Sequence, residues 1–215
     1  MRFFYLIMCL FLLIPGQALS GQNIIDDLLK NYKNIQSIRT KFNQILKSKT
    51  TREEEIRSGN IICKKSLNRV KVRWEIEKPE HEILIVNGNI IWDYFPEEKL
   101  AYKYKLSKIE QSRIIFDLIT GKIDLKKKFN ITNEGIKGDL YKIKLVPFNP
   151  EPNMVLVYLW IDKNQLIKKI NIIDFFGNEN FLEFDDINLN PEIDSKLFWN
   201  KPPSGVKILE GRPNS

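Results

Sequence analysis

"VKVRWEIEKPEHEILIVNGNIIWDY", residues 70–94, decides the fold. Val70, Val72, Trp74 and Ile76 alternate with Lys71, Arg73, Glu75 and Glu77. A strand turns successive side chains to opposite faces, so this run has one apolar and one charged face. Lys78-Pro79-Glu80 stops it, and Asn87-Gly88 interrupts the apolar run that follows. An Asn-Gly pair is a strong hairpin signal, because a two-residue turn of matching twist needs positive φ. The stretch reads as two pieces of antiparallel sheet with a sharp turn, and nothing in it resembles a catalyst.

The same period extends outward. "IRTKFNQIL" (38–46) sets Ile38, Phe42 and Leu46 against Arg39, Lys41 and Asn43. "KLAYKYKL" (99–106) sets Leu100, Tyr102 and Tyr104 against Lys99, Lys103 and Lys105. Such segments predict an antiparallel sheet with one face in water. Asp162-Lys163-Asn164 and Gly177-Asn178 mark later hairpins. Short spacing of turns predicts about ten strands between residues 37 and 208, hence a sandwich, a barrel or a strongly curved sheet. No linker or repeat divides the chain. The end, "DSKLFWNKPPSGVKIL" (194–209), reads as a short turn or 3-10 piece, a Pro-Pro corner and a last strand.

Two segments follow a helical period instead. In "NIIDDLLKNYKNI" (23–35), Ile24, Ile25, Leu28, Leu29, Tyr32 and Ile35 share one face. Asn23 suits the N-cap, and Asp26 and Asp27 suit the positive end of the dipole. "SKIEQSRIIFDLITGK" (107–122) opens on a Ser107/Glu110 capping box and closes at Gly121. Between them lie Ile109, Ile115, Phe116, Leu118 and Ile119. Two short helices are little cover for so long a sheet. Either the sheet closes on itself, or it leaves a concave apolar surface for a ligand.

The first twenty residues differ from the rest. Arg2 precedes an apolar run from Phe3 to Ile14, then Pro15-Gly16 and a small-residue ending, Ala18-Leu19-Ser20. This predicts a signal peptide over residues 1–20, cleaved after Ser20, and a single mature domain over 21–215. The apolar run is shorter than the ~20 residues of a membrane span. Cys9 lies too early to carry a lipid anchor, and Gly21 stands at the new N-terminus. Cleavage leaves Cys63 as the only cysteine, so no internal disulfide is expected, and its strand-like setting suits a buried apolar role.

The formal charge is +7 over 215 residues, and loss of Arg2 leaves 33 basic against 27 acidic side chains, or +6. In an exported protein this suits anionic surfaces or acidic partners better than nucleic acid. Lys126-Lys127-Lys128 reads as part of a solvated sheet face.

Catalytic patterns are missing. His81 is the only histidine and sits in a charged turn, where an exposed loop role is expected. No His/Cys cluster suits zinc, and no nucleotide-binding glycine motif occurs. The acidic runs Glu53-Glu54-Glu55, Glu97-Glu98 and Asp185-Asp186 could in principle serve a glycosidase, but adjacent carboxylates in turns and on strand edges are usually solvated. The expectation is therefore a non-enzyme without cofactor or metal. A sheet with an apolar face and an apolar helix suits an acylated ligand, since each buried CH₂ contributes about 0.8 kcal/mol.

The order of segments resembles the periplasmic outer-membrane lipoprotein carrier family, LolA. The resemblance runs through the first helix, "IRTKFNQ", "SGNIICKK", "RVKVRWEIEKP", "ILIVNGNIIWDYFPEEKLAYKY", "IIFDLITG" and "LFWNKPPSGVKIL". It implies a mainly β fold with α: an incomplete, open antiparallel β-barrel with a helical lid over a hydrophobic cavity. It also implies a periplasmic monomer that takes acylated lipoproteins from an inner-membrane ABC-type exporter and hands them to an outer-membrane receptor. Two alternatives keep the fold: a carrier of another amphiphile such as a glycolipid, or the receptor itself, which would need a cysteine where Gly21 stands. Strand parity and the resemblance together nominate Phe42, Val70, Val72, Trp74 and Ile76 for the cavity, extended by Trp92 and Tyr94. Ile115, Phe116 and Ile119 would be the inner face of the lid. In the family an arginine latches the lid. Arg69 is the favoured candidate here, since a guanidinium can bond several carbonyls at once, and Lys65 is the alternative.

Overall fold

The computed structural model describes residues 21–66, 69–105, 110–119 and 123–211. In chain order the strands are β1 (Ser37–Lys47), β2 (Glu54–Ser66), β3 (Arg69–Lys78), β4 (Glu82–Asn87), β5 (Ile90–Phe95) and β6 (Leu100–Lys105), then β7 (Phe129–Lys137), β8 (Leu140–Pro147), β9 (Leu156–Ile161), β10 (Ile167–Ile173), β11 (Glu179–Leu189) and β12 (Lys207–Glu210). All twelve form one sheet in the order β12-β6-β5-β4-β3-β2-β1-β11-β10-β9-β8-β7. Neighbours run antiparallel except β12, which lies parallel to β6. β7 and β12 are free edges, so the sheet curls as an open, incomplete barrel. It holds more strands than alternation suggested. Runs such as Phe129–Lys137, whose own pattern is weak, are recruited by their partners.

Among the described residues three α-helices accompany the sheet: α1 (Gly21–Asn34), α2 (Glu110–Ile119) and α3 (Leu125–Lys128). α1 begins before Asn23, so that residue lies inside the first turn instead of capping it. The expected α2 caps, Ser107 and Gly121, lie outside the described residues. Lys126–Lys128 form a single helical turn and not a sheet face. Asp124 starts that turn by accepting a hydrogen bond from the Lys127 amide at 3.3 Å. The Pro-Pro corner and the 3-10 piece, Ser195–Leu197, occur as the sequence suggests.

Register determines which residues face inward. Cys63, Val72, Val86 and Ile91 lie in one cross-strand row, and Ile61, Trp74, Leu84 and Asp93 in the next. On the other side of β1, Leu182, Ile170, Leu159 and Ile143 make a similar row. These side chains and those of α1 and α2 belong to one buried apolar cluster, Leu84 at its half-buried edge and Asp93 as a buried polar neighbour. Cys63 is buried in it. Gly59, in the middle of β2, faces inward opposite Phe42. A Cβ at Gly59 would overlap the carbonyl oxygen of Glu75 on β3, so the close approach of these strands needs glycine.

The outer face is not simply wet. A second cluster, Ile83, Ile85, Trp92 and Ala101, lies there beneath Trp199 and Val206 of the C-terminal segment. The β4–β5 hairpin sits one residue later than the Asn-Gly pair suggests. Asn87 pairs with Ile90, and Gly88-Asn89 form the loop. Only Gly88 has positive φ, at 66°. That pattern fits a II′ turn and not a I′ turn.

Candidate ligand cavity

Trp74 marks the site. Its ring lies edge-on to Phe42, centroids 5.0 Å apart, and to Phe116 of α2, 5.8 Å apart. Beside this chain of rings is a cavity of about 320 Å³ between α2 and the sheet. Trp74, Ile76, Leu84, Ile115 and Phe116 give it apolar walls. Asp93 and Tyr104 lie at its floor, where the tyrosine hydroxyl donates to Asp93 Oδ2 at 3.3 Å. The rim is polar. Gln44 donates to Asn180 Oδ1 at 2.8 Å, and Arg57 reaches Glu55 at 2.7 Å and Glu82 at 3.8 Å. Glu80 and Glu82 also line it, so the cavity joins one apolar wall to a largely polar surround, an arrangement that suits an amphiphile.

Two helices cover the sheet. α1 is tied down at its C-terminal end. The Lys65 ammonium donates to the Tyr32 carbonyl, and the Tyr32 hydroxyl accepts from the Ile167 amide at 3.2 Å. Asn31 donates to the Asn164 and Gln165 carbonyls at 3.1 Å each. Burial pushes the Tyr32 hydroxyl well above its usual pKa, so it stays neutral. α2 is held by apolar packing of Ile114, Ile115, Phe116, Leu118 and Ile119, all buried.

Phe42, Val72, Trp74, Ile76, Ile115, Phe116 and Ile119 meet in the inner cluster, with Val70 half-buried against it. Of these, Trp74, Ile76, Ile115 and Phe116 touch the cavity. Trp92 and Tyr94 do not join them. Ile91 and Asp93 are the inward residues of β5, and Trp92 and Tyr94 pack outward against Trp199, centroids 6.5 and 6.1 Å away. In "NIIWDY" both faces carry apolar residues, so alternation cannot choose between them. The length of the preceding turn does. Leu84, Asp93, Tyr104, Gln44 and Asn180 are lining residues that the sequence reading passed over. Correct hairpin parity would have found Leu84 and Asp93. The side chain of Arg69 lies outside the described residues.

His81 is half-buried and not a free loop residue. Its Nε2 lies 3.0 Å from Glu75 Oε1, and Arg73 pairs with the same carboxylate at 2.7 Å. Burial pushes the Glu75 carboxyl up, but hydrogen bonds from His81 and Arg73 outweigh it and hold the group below its usual value. Asp185 and Asp186 are exposed, and Asp186 is paired with Lys41 at 2.7 Å. Among the described residues no three His, Cys, Asp or Glu side chains are placed to hold a metal ion.

Comparison with known proteins bears on the whole chain. A protein from Dechloromonas aromatica described as an outer-membrane lipoprotein carrier protein is 26% identical over 199 residues, covering 93% of this chain and 92% of the relative. One from Methylococcus capsulatus with the same description is 25% identical over 202 residues, covering 94% and 95%. An uncharacterised conserved protein from Thermus thermophilus shares the fold, with a TM-score of 0.56 at 13% identity, covering 89% of this chain and 99% of that one. Residues 33–201 match the family described as outer membrane lipoprotein carrier protein LolA, and the chain belongs to that family.

Proposed function

We propose that the chain is a periplasmic carrier that shields the acyl chains of lipoproteins. In this reading residues 1–20 are a cleaved signal peptide, and residues 21–215 form one carrier domain. It accepts lipoproteins from an inner-membrane ABC-type exporter and releases them to an outer-membrane receptor. The observation that carries the reading is the cavity under α2, with its Trp74, Ile76, Ile115 and Phe116 wall. The descriptions of the relatives support it.

The cavity's size adds a requirement. About 320 Å³ lies at the low end of the ~300–1,000 Å³ typical of small-molecule sites, too little for several long acyl chains. Loading therefore needs α2 to lift from Trp74, with the sheet as a fixed wall. For the lid latch, favoured at Arg69 from the sequence, the bond of the Lys65 ammonium to the Tyr32 carbonyl of α1 supports the alternative, Lys65.

Mass spectrometry of the protein purified from periplasm tests the carrier role. A co-purified acylated lipoprotein is the expected result, and another bound amphiphile would replace lipoprotein as the cargo. Lys65→Leu and Arg69→Leu test the latch. Loss of lipoprotein transfer in the first and retention in the second assigns it to Lys65, and the reverse result assigns it to Arg69.

A further inference from the structure

The turn between β10 and β11 carries two adjacent phenylalanines in water. Phe175 is 73% exposed and Phe176 67%, yet their rings hold an edge-to-face contact at 5.7 Å. The backbone beneath them is tightly fastened. Asp174 Oδ1 accepts from the Phe176 and Asn178 amides at 2.9 and 2.8 Å, and Asp174 Oδ2 accepts from the Asn178 side chain at 2.7 Å. The Phe175 amide donates to the Pro152 carbonyl at 2.8 Å, which braces the tip on the neighbouring β8–β9 connection. That connection presents a third exposed ring, Phe148, at 59%.

The tip stands at the mouth end of the molecule. Asn180, two residues beyond Asn178, lines the cavity rim and bonds Gln44. Across from the tip, the β1–β2 turn supplies Lys49, whose amide donates to Asn178 Oδ1 at 2.9 Å. Its aliphatic stem passes 3.5 Å from where a side chain on Gly177 would begin. Of the carboxylates nearby, Glu54 pairs with Lys47 and Glu55 with Arg57, Glu179 accepts from Asn171 and Glu53 from Thr51, and Glu151 is exposed beside Pro152. Lys49 and Arg52 are exposed cations on the same turn.

We propose that the Phe175-Phe176 tip is a bilayer contact that seats the cavity mouth against the phospholipid surface. Protruding rings beside a lysine with an apolar stem match the membrane interface, where rings enter the acyl boundary and the ammonium stays at phosphate level. The rings project from a convex turn, and a deformable surface accommodates such a shape without a matching socket. The mouth would then stand at the lipid boundary while cargo passes to or from a membrane-bound partner. The proposal shares with the carrier reading only the position of the mouth.

Flotation of the cargo-free protein with phosphatidylethanolamine/phosphatidylglycerol vesicles tests it. The parent is expected to float with the vesicles. The double variant Phe175→Asp, Phe176→Asp is expected to lose about tenfold or more in vesicle affinity, since burying one phenylalanine is worth more than a factor of ten. Ile136→Ser removes a side chain of similar exposure (63%) beside the β7–β8 turn at the opposite end, and should float like the parent. A parent that stays with the soluble fraction, or a double variant that floats as well as the parent, overturns the proposal and leaves the tip as a plug for a protein socket. Binding of a fluorescent fatty acid by the same double variant separates the two readings. Its retention confirms an intact cavity, while its absence from parent and variant alike counts against the carrier reading and not against the tip.

Discussion

The two wings of the sheet, on either side of β1, are packed to different standards. Under α1, the middle of the β7–β11 wing is filled: Ile143, Leu145, Val157, Leu159, Ile161 and Ile170 are all fully buried, and a cavity of about 490 Å³ opens at its end, between the β7–β8 and β9–β10 turns. Under α2, the β3–β6 wing borders a cavity, holds a buried aspartate and opens through a polar rim. A filled interface resists separation because every displaced atom loses its contacts, whereas a partly void one has fewer to lose. α1 is also fastened by hydrogen bonds at its C-terminal end. In our proposal the cavity beside α2 makes it the moving cover.

Truncation in each wing tests this most strongly. Leu159→Ala is expected to destabilise the protein by about 2–5 kcal/mol in urea unfolding, the range for a fully packed core leucine. Ile115→Ala, beside the existing void, should fall near the bottom of that range, because it enlarges a cavity instead of creating one. Equal costs would break the distinction between the wings.

Gly59→Ala comes next. It forces β2 and β3 apart beside the cavity wall, and a loss of about 1–3 kcal/mol in the same measurement is expected. A neutral substitution would show that this wing yields even in its backbone, and so sharpen the contrast.

The smallest effect concerns charge on the outer face of β3. The Glu75 carboxyl is depressed in the folded state, so its stabilisation is full above the unfolded carboxylate value and fades as pH falls through the folded one. Glu75→Gln should therefore cost under about 1 kcal/mol at neutral pH, for a partly exposed pair. The difference from the parent should vanish in acid below the usual carboxylate range. A difference that persists unchanged there would assign the effect to packing.

The same contrast explains what the sequence could tell. β3 was legible because Val72, Trp74 and Ile76 face a core while Arg73 and Glu75 face solvent. β1 was legible for Phe42, though Thr40 and Gln44 also point inward and are buried. β5 was not, since Trp92 and Asp93 are both buried, one against the C-terminal segment and the other above Tyr104. No local pattern announces that residues some hundred positions later will cover an outer face. The Lys126–Lys128 turn departs from the expected sheet face for a related reason: its cap, Asp124, lies outside the basic run.

The unpaired edges of β7 and β12 have a further consequence. In a closed barrel, strand number and shear fix the girth, and widening it means breaking ladder bonds. A sheet that never closes has no such ring constraint. Its strands bend at register shifts such as those between Arg39 and Lys41 and between Ser58 and Gly59. The girth of such a shell is set by the bends of its strands alone.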